Sequence, residues 1–208
     1  MVSSLAITKQ ATSGTPLTIE GYRLSSGHVG AGQDASVLVP SSGRVLELEP
    51  DTYCSNGTNE QIAWGTSSIV RTPSGEYPYS IAINGAPNTT AGHQVSVAIG
   101  VGTFDVGVLG VSYTSPGQPD SQPYLVYRPI GSYGGEDQFY PCNGQFHKYT
   151  IPLLYWSNEN SLTPNDCAEI KLLPQCAGDV VNATRYTQKV SCYKDAASVP
   201  VLNQDVRF

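Results

Sequence analysis

The stretch VSVAIGV at residues 95–101 has the clearest pattern in the chain, and it decides the fold class. Branched residues alternate with small ones, so an extended backbone places the branched side chains on one face and the small ones on the other. The stretch YSIAI at residues 79–83 alternates in the same way and leads into Asn84-Gly85, a dipeptide typical of tight hairpins. The two stretches therefore predict a pair of half-buried strands.

The other apolar segments are also short, and turn residues separate them. Together they predict about a dozen strands, and no long window has the apolar period of a helix. We therefore predict an all-β protein, a single-domain antiparallel β-sandwich that is tied by disulfides and carries long loops. A β-trefoil and a β-barrel are the alternatives, because they differ from the sandwich only in how the strands pair. The domain is expected at residues 16–208, behind a flexible segment at 1–15.

Charge excludes several classes of partner. The 208 residues include 11 Lys and Arg against 17 Asp and Glu, which gives a formal net charge of −6 at pH 7. No cluster of basic residues is available to neutralise phosphates, so neither nucleic acid nor a membrane surface is an expected partner. The most apolar stretch, residues 95–111, is interrupted by Asp105 and four glycines and is too broken to cross a bilayer as a helix.

The cysteines favour disulfides over metal binding. They form no Cys-x-x-C pair and have no histidine at ligand spacing, so we expect neither a metal site nor a cofactor. One of the five must be left over, and the sequence leaves the connectivity open. Cys167 and Cys176 are spaced to close a small loop, whereas Cys192 is either half of a bridge to the core or the leftover thiol. The disulfide candidates are Cys54, Cys142, Cys167, Cys176 and Cys192.

Three Asn-x-Ser/Thr triplets begin at Asn56, Asn88 and Asn182, each in a polar, turn-like stretch suited to a glycan. Together with the cysteines and the low charge, these glycosylation candidates favour a secreted, extracellular protein.

Two loops are the candidate binding regions. The stretch TSPGQPDSQP at residues 114–123 has three prolines and no large apolar residue, which is typical of an exposed, extended loop. It is followed by a second loop, rich in Gly and acidic residues, at residues 131–137. The partner-binding candidates are Pro116, Gly117, Gln118, Pro119, Asp120, Tyr133, Glu136 and Asp137.

The common catalytic motifs are absent from the chain, so we do not expect an enzyme. The exception to consider is His28, which lies in a glycine-rich stretch near Asp34. A carboxylate at that position can orient an imidazole for acid–base chemistry. We interpret the two residues as a polar loop site, because no nucleophile is marked beside them; a hydrolase that uses His28 and a carboxylate is the third hypothesis.

Two motifs resemble those of small secreted proteins of filamentous fungi. These motifs are LSSGHVGAGQDA at residues 24–35 and DCAEIKLLP at residues 166–174. The resemblance implies a fungal secreted β-protein, of the class that includes cell-wall proteins and effectors delivered to a host. A recurrent activity in that class is inhibition of papain-like cysteine proteases by loops on a rigid scaffold.

The leading hypothesis is therefore a secreted, non-enzymatic binding protein, a fungal effector acting on an extracellular host protein. Inhibition of papain-like cysteine proteases through the exposed loops is its most concrete form. The alternative is a carbohydrate-binding or structural protein of the fungal cell wall, because tyrosines such as Tyr133 can stack on sugar rings of cell-wall polysaccharide.

Overall fold

The computed structural model of the chain describes residues 3–10, 17, 19, 21–30, 32–41, 48, 52–56, 68–72, 79–83, 92–99, 108–113, 123–128, 138–157, 163–176, 187–188 and 192–199. Within these ranges the chain forms strands and one short 3-10 helix at Ala196–Ser198. The strands are β1 (Ser3–Gln10), β2 (Tyr22–Gly30), β3 (Gln33–Pro40), β4 (Thr52–Asn56), β5 (Ser68–Thr72), β6 (Tyr79–Ile83), β7 (His93–Ile99), β8 (Val108–Tyr113), β9 (Pro123–Arg128), β10 (Gln138–Phe146), β11 (Tyr149–Ser157), β12 (Ile170–Cys176) and β13 (Thr187–Gln188).

The predicted all-β class is confirmed, and the ladders between these strands are antiparallel. Eleven strands join in the order β10-β12-β1-β2-β3-β11-β7-β6-β5-β4-β13, while β8 and β9 form a separate ribbon. Strand β10 pairs with β11 along its whole length, although the two stand far apart in that order, so the sheet curls into a half-barrel. Of the three arrangements that the sequence left open, this curled sheet is nearest to the barrel.

Both stretches that decided the fold class form strands, as predicted. Strands β6 and β7 are antiparallel neighbours from Tyr79 opposite Ile99 to Ile83 opposite Val95. Ile81 and Ile83 are buried in the largest apolar cluster, as expected for the branched face of a half-buried strand. Other members of that cluster are Leu17, Leu24, Leu38, Trp156 and Leu172.

The N-terminal segment differs from its expected flexibility. Residues 3–10 form β1, which pairs with β12 from Ser3 opposite Cys176 to Gln10 opposite Ile170. Its other neighbour is β2, through Ala6 opposite Arg23. The segment SLAIT at residues 4–8 alternates apolar and small or polar residues, and this period of two allows it to pair between two other strands.

The stretch around His28 is strand rather than loop. Strands β2 and β3 run as one ladder from Tyr22 opposite Pro40 to His28 opposite Asp34, where a bulge begins. Gly30 and Gly32 lie at the turn with positive φ values of 151° and 77°, conformations that glycine adopts without a steric penalty. Gly27, in contrast, lies within the strand, and the Phe146 ring occupies the space that a Cβ would need at this position.

Two disulfides tie the ends of β12 to other parts of the fold. Cys142 of β10 is bonded to Cys167, and Cys176 is bonded to Cys192. The expected short loop between Cys167 and Cys176 is therefore wrong, because β12 runs extended between them and keeps them apart. Cys192 is half of a bridge, and Cys54 of β4 is the fifth cysteine outside these two disulfides.

Candidate functional site

The ends of two hairpins meet at one end of the sheet. At the turn between β10 and β11, Nε2 of His147 donates a hydrogen bond of 3.0 Å to the backbone carbonyl oxygen of His28. One residue back, the Phe146 ring lies directly on Gly27. We call the exposed residues His28, Val29, His147, Lys148 and Tyr149 the hairpin-tip surface.

An apolar cluster beneath this surface holds the two hairpins together. It joins the face of β3 that carries Ala35 and Val37 to Phe146, Ile151 and Leu153 of the β10–β11 hairpin. The ladder between β10 and β11 runs from Gln138 opposite Ser157 to Phe146 opposite Tyr149 without a shift of register. The tips therefore rest on packed, continuously paired strands, which hold the backbones of the two tips in a fixed relation to one another.

The structure brings His28 and Asp34 together, as the sequence predicted. Nδ1 of His28 donates to Oδ1 of Asp34 over 3.1 Å. The His28 side chain is 72% exposed, whereas that of Asp34 is 7% exposed. A buried carboxylate thus fixes the orientation of an exposed imidazole and leaves its Nε2 available to a partner. Asp34 is the only side chain that His28 hydrogen-bonds among the described residues.

Two apolar side chains extend from the same surface. Val29 is 53% exposed and Tyr149 is 41% exposed, and they are the exposed large hydrophobic residues of the described part of the chain. The ammonium group of Lys148 lies 5.3 Å from the centre of the Tyr149 ring. Because one residue comes from each hairpin, the hairpin contact brings both apolar side chains to one end of the molecule.

The charge of this surface differs from that of the chain. Among its side chains, His28, His147 and Lys148 are basic, and none is a carboxylic acid. The nearest acid on the same strands, Asp34, is buried and hydrogen-bonded to His28. A chain of net charge −6 therefore presents an end without an exposed carboxylate among its described residues.

Sequence reasoning missed most of this surface. Pro141 and Gly144 are residue types typical of turns, so the sequence carries little signal for a strand at residues 138–146. In the structure both residues lie within β10, and the space beyond Gly144 is filled by Leu153. The available sequence signal was the polar dipeptide His147-Lys148 between two segments that alternate apolar and polar residues. In the structure this dipeptide forms a tight turn, in which His147 takes a positive φ of 52°.

The predicted partner-binding residues lie outside the part of the chain that the structure describes. Pro116, Gly117, Gln118, Pro119 and Asp120 fall outside the described residues, and so do Tyr133, Glu136 and Asp137. Of the glycosylation candidates, Asn88 and Asn182 are also outside, whereas Asn56 ends β4 opposite Thr187 of β13.

Among the described residues, no three His, Cys, Asp or Glu side chains lie close enough together to hold a metal ion. Nor does that part of the chain contain a helix with the length and apolar character needed to cross a membrane.

Taken together, the strands, the two disulfides and the paired hairpins define a disulfide-tied antiparallel β-protein. Residues 6–176 match the family described as a domain of unknown function, DUF7907, and the chain belongs to that family. The match includes the hairpin-tip surface and the Cys142–Cys167 disulfide, and it ends at Cys176, so that Cys192 lies beyond it. No curated protein and no solved structure matches the chain.

Proposed function

We propose that the chain is a secreted, non-enzymatic binding protein that acts on an extracellular host protein through the hairpin-tip surface. The observation that carries this proposal is the joint exposure of Val29 and Tyr149 on two hairpins that contact each other. Exposed apolar and aromatic side chains on a rigid support are typical binding anchors, because little conformational entropy is lost when they are buried by a partner.

Inhibition of papain-like cysteine proteases is the most concrete form of this function. Two adjacent hairpin ends supported by packed strands are pre-organised, which suits insertion into a substrate cleft. Their backbone is held by the β10–β11 ladder and by the bond from His147 to His28, and this favours resistance to cleavage because a protease needs a chain that can adapt to its active site. The loops at 114–123 and 131–137 stay predicted additional contacts.

Secretion is the second element of the proposal. Two disulfides are present, and such bonds persist in oxidising compartments such as the extracellular space. The fungal source and the role as an effector are proposed on the resemblance of residues 24–35 and 166–174 to small secreted fungal proteins.

The test compares the oxidised wild-type protein with the double variant Val29→Ser, Tyr149→Ser. Each is incubated with host extracellular fluid and an activity-based probe for papain-like proteases. We expect the wild type to reduce labelling and to co-purify with a protease, and we expect the double variant to lose both effects at an unchanged unfolding midpoint. The control variant Asn165→Ser, Lys194→Ser changes two exposed residues far from the tips in sequence. If the wild-type protein does not diminish labelling of the proteases by the probe, the proposal that it is a protease inhibitor is rejected.

A carbohydrate-binding or cell-wall function is the alternative, and the exposed Tyr149 ring favours it. An aromatic ring can stack on a sugar. The exposed side chains of Gln145 and Thr150 in the same hairpin, joined by a bond of 2.9 Å, are groups that can form hydrogen bonds. Retention on chitin or β-glucan that survives high salt and is lost in Tyr149→Ala would support this alternative. The same retention measurement with Tyr133→Ala tests whether Tyr133, the residue predicted from the sequence to stack on sugar rings, contributes to binding.

A hydrolase is the third candidate, favoured by the bond between His28 and Asp34. The pair resembles the base and orienting carboxylate of hydrolytic sites, but a nucleophile must then come from outside the described residues or be a water molecule. Hydrolysis of a model ester or peptide that is abolished by His28→Ala, with unchanged thermal unfolding, would support the enzyme over the binding protein.

A further inference from the structure

The hairpin-tip surface combines two properties that point to the chemistry of its partner. Its apolar side chains, Val29 and Tyr149, are exposed next to groups that carry only positive charge or none. Lys148 is held over the Tyr149 ring, so one cation lies beside one apolar anchor. A partner that covers the anchors must therefore also face the ammonium group.

The two imidazoles extend the same pattern. Nδ1 of His28 is occupied by Asp34, and Nε2 of His147 is occupied by the His28 carbonyl, so each ring keeps one nitrogen for a partner. Both rings are held in place through the occupied nitrogen, which lowers the cost of ordering them on binding. A partner carboxylate can accept a hydrogen bond from an imidazolium or from the Lys148 ammonium.

The net charge of the chain is opposite in sign to the basic groups of the hairpin-tip surface. With 17 acidic residues against 11 basic ones, the molecule as a whole repels an acidic protein. Among the described residues, the end that carries His28, His147 and Lys148 offers an acidic partner basic groups without an adjacent exposed carboxylate on the same strands. Such complementarity selects the orientation and the rate of association more than the final affinity.

We infer that the hairpin-tip surface recognises an extracellular protein surface in which carboxylates surround an apolar centre, with Lys148 as the residue that selects for acidity. This inference rests on the proposed function, because it names the partner chemistry of the same surface. It differs from that proposal in depending on the cation rather than on the apolar anchors.

The test uses two labelled peptides. In one, glutamates flank a Leu-Val-Leu centre, and in the other each glutamate is replaced by glutamine. Binding of each to the full chain is measured by fluorescence anisotropy at low and high salt. We expect the acidic peptide to bind about tenfold more tightly at low salt and to lose most of this advantage near 1 M, as roughly expected for exposed charges that salt screens.

Variants separate local charge from net charge. Lys148→Glu should remove the preference for the acidic peptide, whereas Lys194→Glu makes the same change in net charge at an exposed residue outside the hairpins and should keep it. Equal loss in both variants, or equal binding of both peptides by the wild type, would overturn the inference. So would tight binding of an oligogalacturonate with no binding of the acidic peptide, because the ligand would then be a polysaccharide.

Failure of the inference and failure of the proposed function give different results. If Lys148→Glu still captures the protease while Val29→Ser, Tyr149→Ser does not, the binding function stands and the acidic partner is rejected. If the wild type captures no protease but prefers the acidic peptide through Lys148, the inhibitor is rejected and the partner chemistry stands.

Discussion

Gly27 shows how one missing side chain permits the hairpins to meet. The Phe146 ring fills the volume that a Cβ at residue 27 would occupy, and Phe146 is itself buried among Ala35, Val37 and Leu153. The ring therefore cannot move aside without disturbing the cluster beneath the tips.

Replacing Gly27 with alanine is expected to destabilise the fold by about 1–3 kcal/mol, the usual range for an overpacked core. Chemical denaturation measures the change, and binding by the hairpin-tip surface should weaken with it. Adding Phe146→Leu to the same chain should recover part of the loss, since the smaller side chain frees space. An unfolding midpoint identical to that of the wild type would mean that the ring does not pack on Gly27.

Tyr193 contains a buried hydroxyl without a hydrogen-bond partner, and burial raises its pKa to about 12. Its backbone is paired to β12, since its N–H donates to the Pro174 carbonyl and its own carbonyl accepts from Cys176, both over 2.8 Å. Strand pairing thus fixes the position of this residue even though its hydroxyl is left unsatisfied.

Tyr193→Phe is expected to stabilise the protein by about 1 kcal/mol at neutral pH, because a buried unsatisfied group is removed. The advantage should grow above pH 10, the ordinary tyrosine pKa. There the unfolded chain loses the phenolic proton while the folded chain keeps it up to about pH 12, so stability falls as pH rises through this window. Denaturant unfolding of both proteins at neutral and alkaline pH tests this; parallel pH profiles would contradict it.

At the scale of elements, β12 is held at both ends. Cys167 precedes it and is bonded to β10, while Cys176 ends it and is bonded to the C-terminal segment. That segment packs against Leu173 through Ala196 and Val199. Only the first disulfide connects to the hairpin that presents Lys148 and Tyr149.

The two disulfides should therefore differ in their effect on binding. Cys142→Ala with Cys167→Ala, and Cys176→Ala with Cys192→Ala, should each lower stability by about 2–4 kcal/mol. Only the first pair is expected to speed amide hydrogen exchange in β10 and to weaken peptide binding at the tips. Equal protection of β10 in both variants would show that the strand ladder alone holds the hairpin.

Mapping the oxidised protein checks the connectivity from which this difference follows. Non-reducing digestion should yield one peptide pair that contains Cys142 and Cys167 and another that contains Cys176 and Cys192. Cys54 should be recovered as the single free thiol. A bridge between Cys54 and another cysteine of the same chain would contradict the structure.

At the scale of the whole molecule, β1 joins parts of the chain that are distant in sequence. It pairs with β12, with β2 and, through Ser3 opposite Tyr53, with β4. The first strand thus connects the half of the sheet that contains β12 to the half that contains β4.

Deleting residues 1–10 is therefore expected to abolish cooperative unfolding, because β12 and β2 would both lose a neighbour and expose their backbone groups. Circular dichroism during heating measures this. A deletion of residues 1 and 2 alone leaves β1 intact and is the control. A sharp thermal transition at an unchanged midpoint in the longer deletion would instead support the prediction from the sequence that this segment is flexible.

The sequence by itself determined the strand class, the strands β6 and β7, the preference for disulfides and the proximity of His28 to Asp34. Each depends on local information: a period of two, cysteine spacing, or two residues on either side of one hairpin. The single domain at 16–208 and the secreted, fungal origin stay predictions from the sequence.

Only the tertiary structure decided which cysteines pair, that β1 belongs to the sheet, and that His147, Lys148 and Tyr149 lie beside His28 and Val29. These features join residues far apart in the chain, and nothing in the local pattern of β10 predicts that its turn will reach β2. The physical reason is packing: the Phe146 ring fits only where Gly27 leaves space, and that fit is established when the sheet curls.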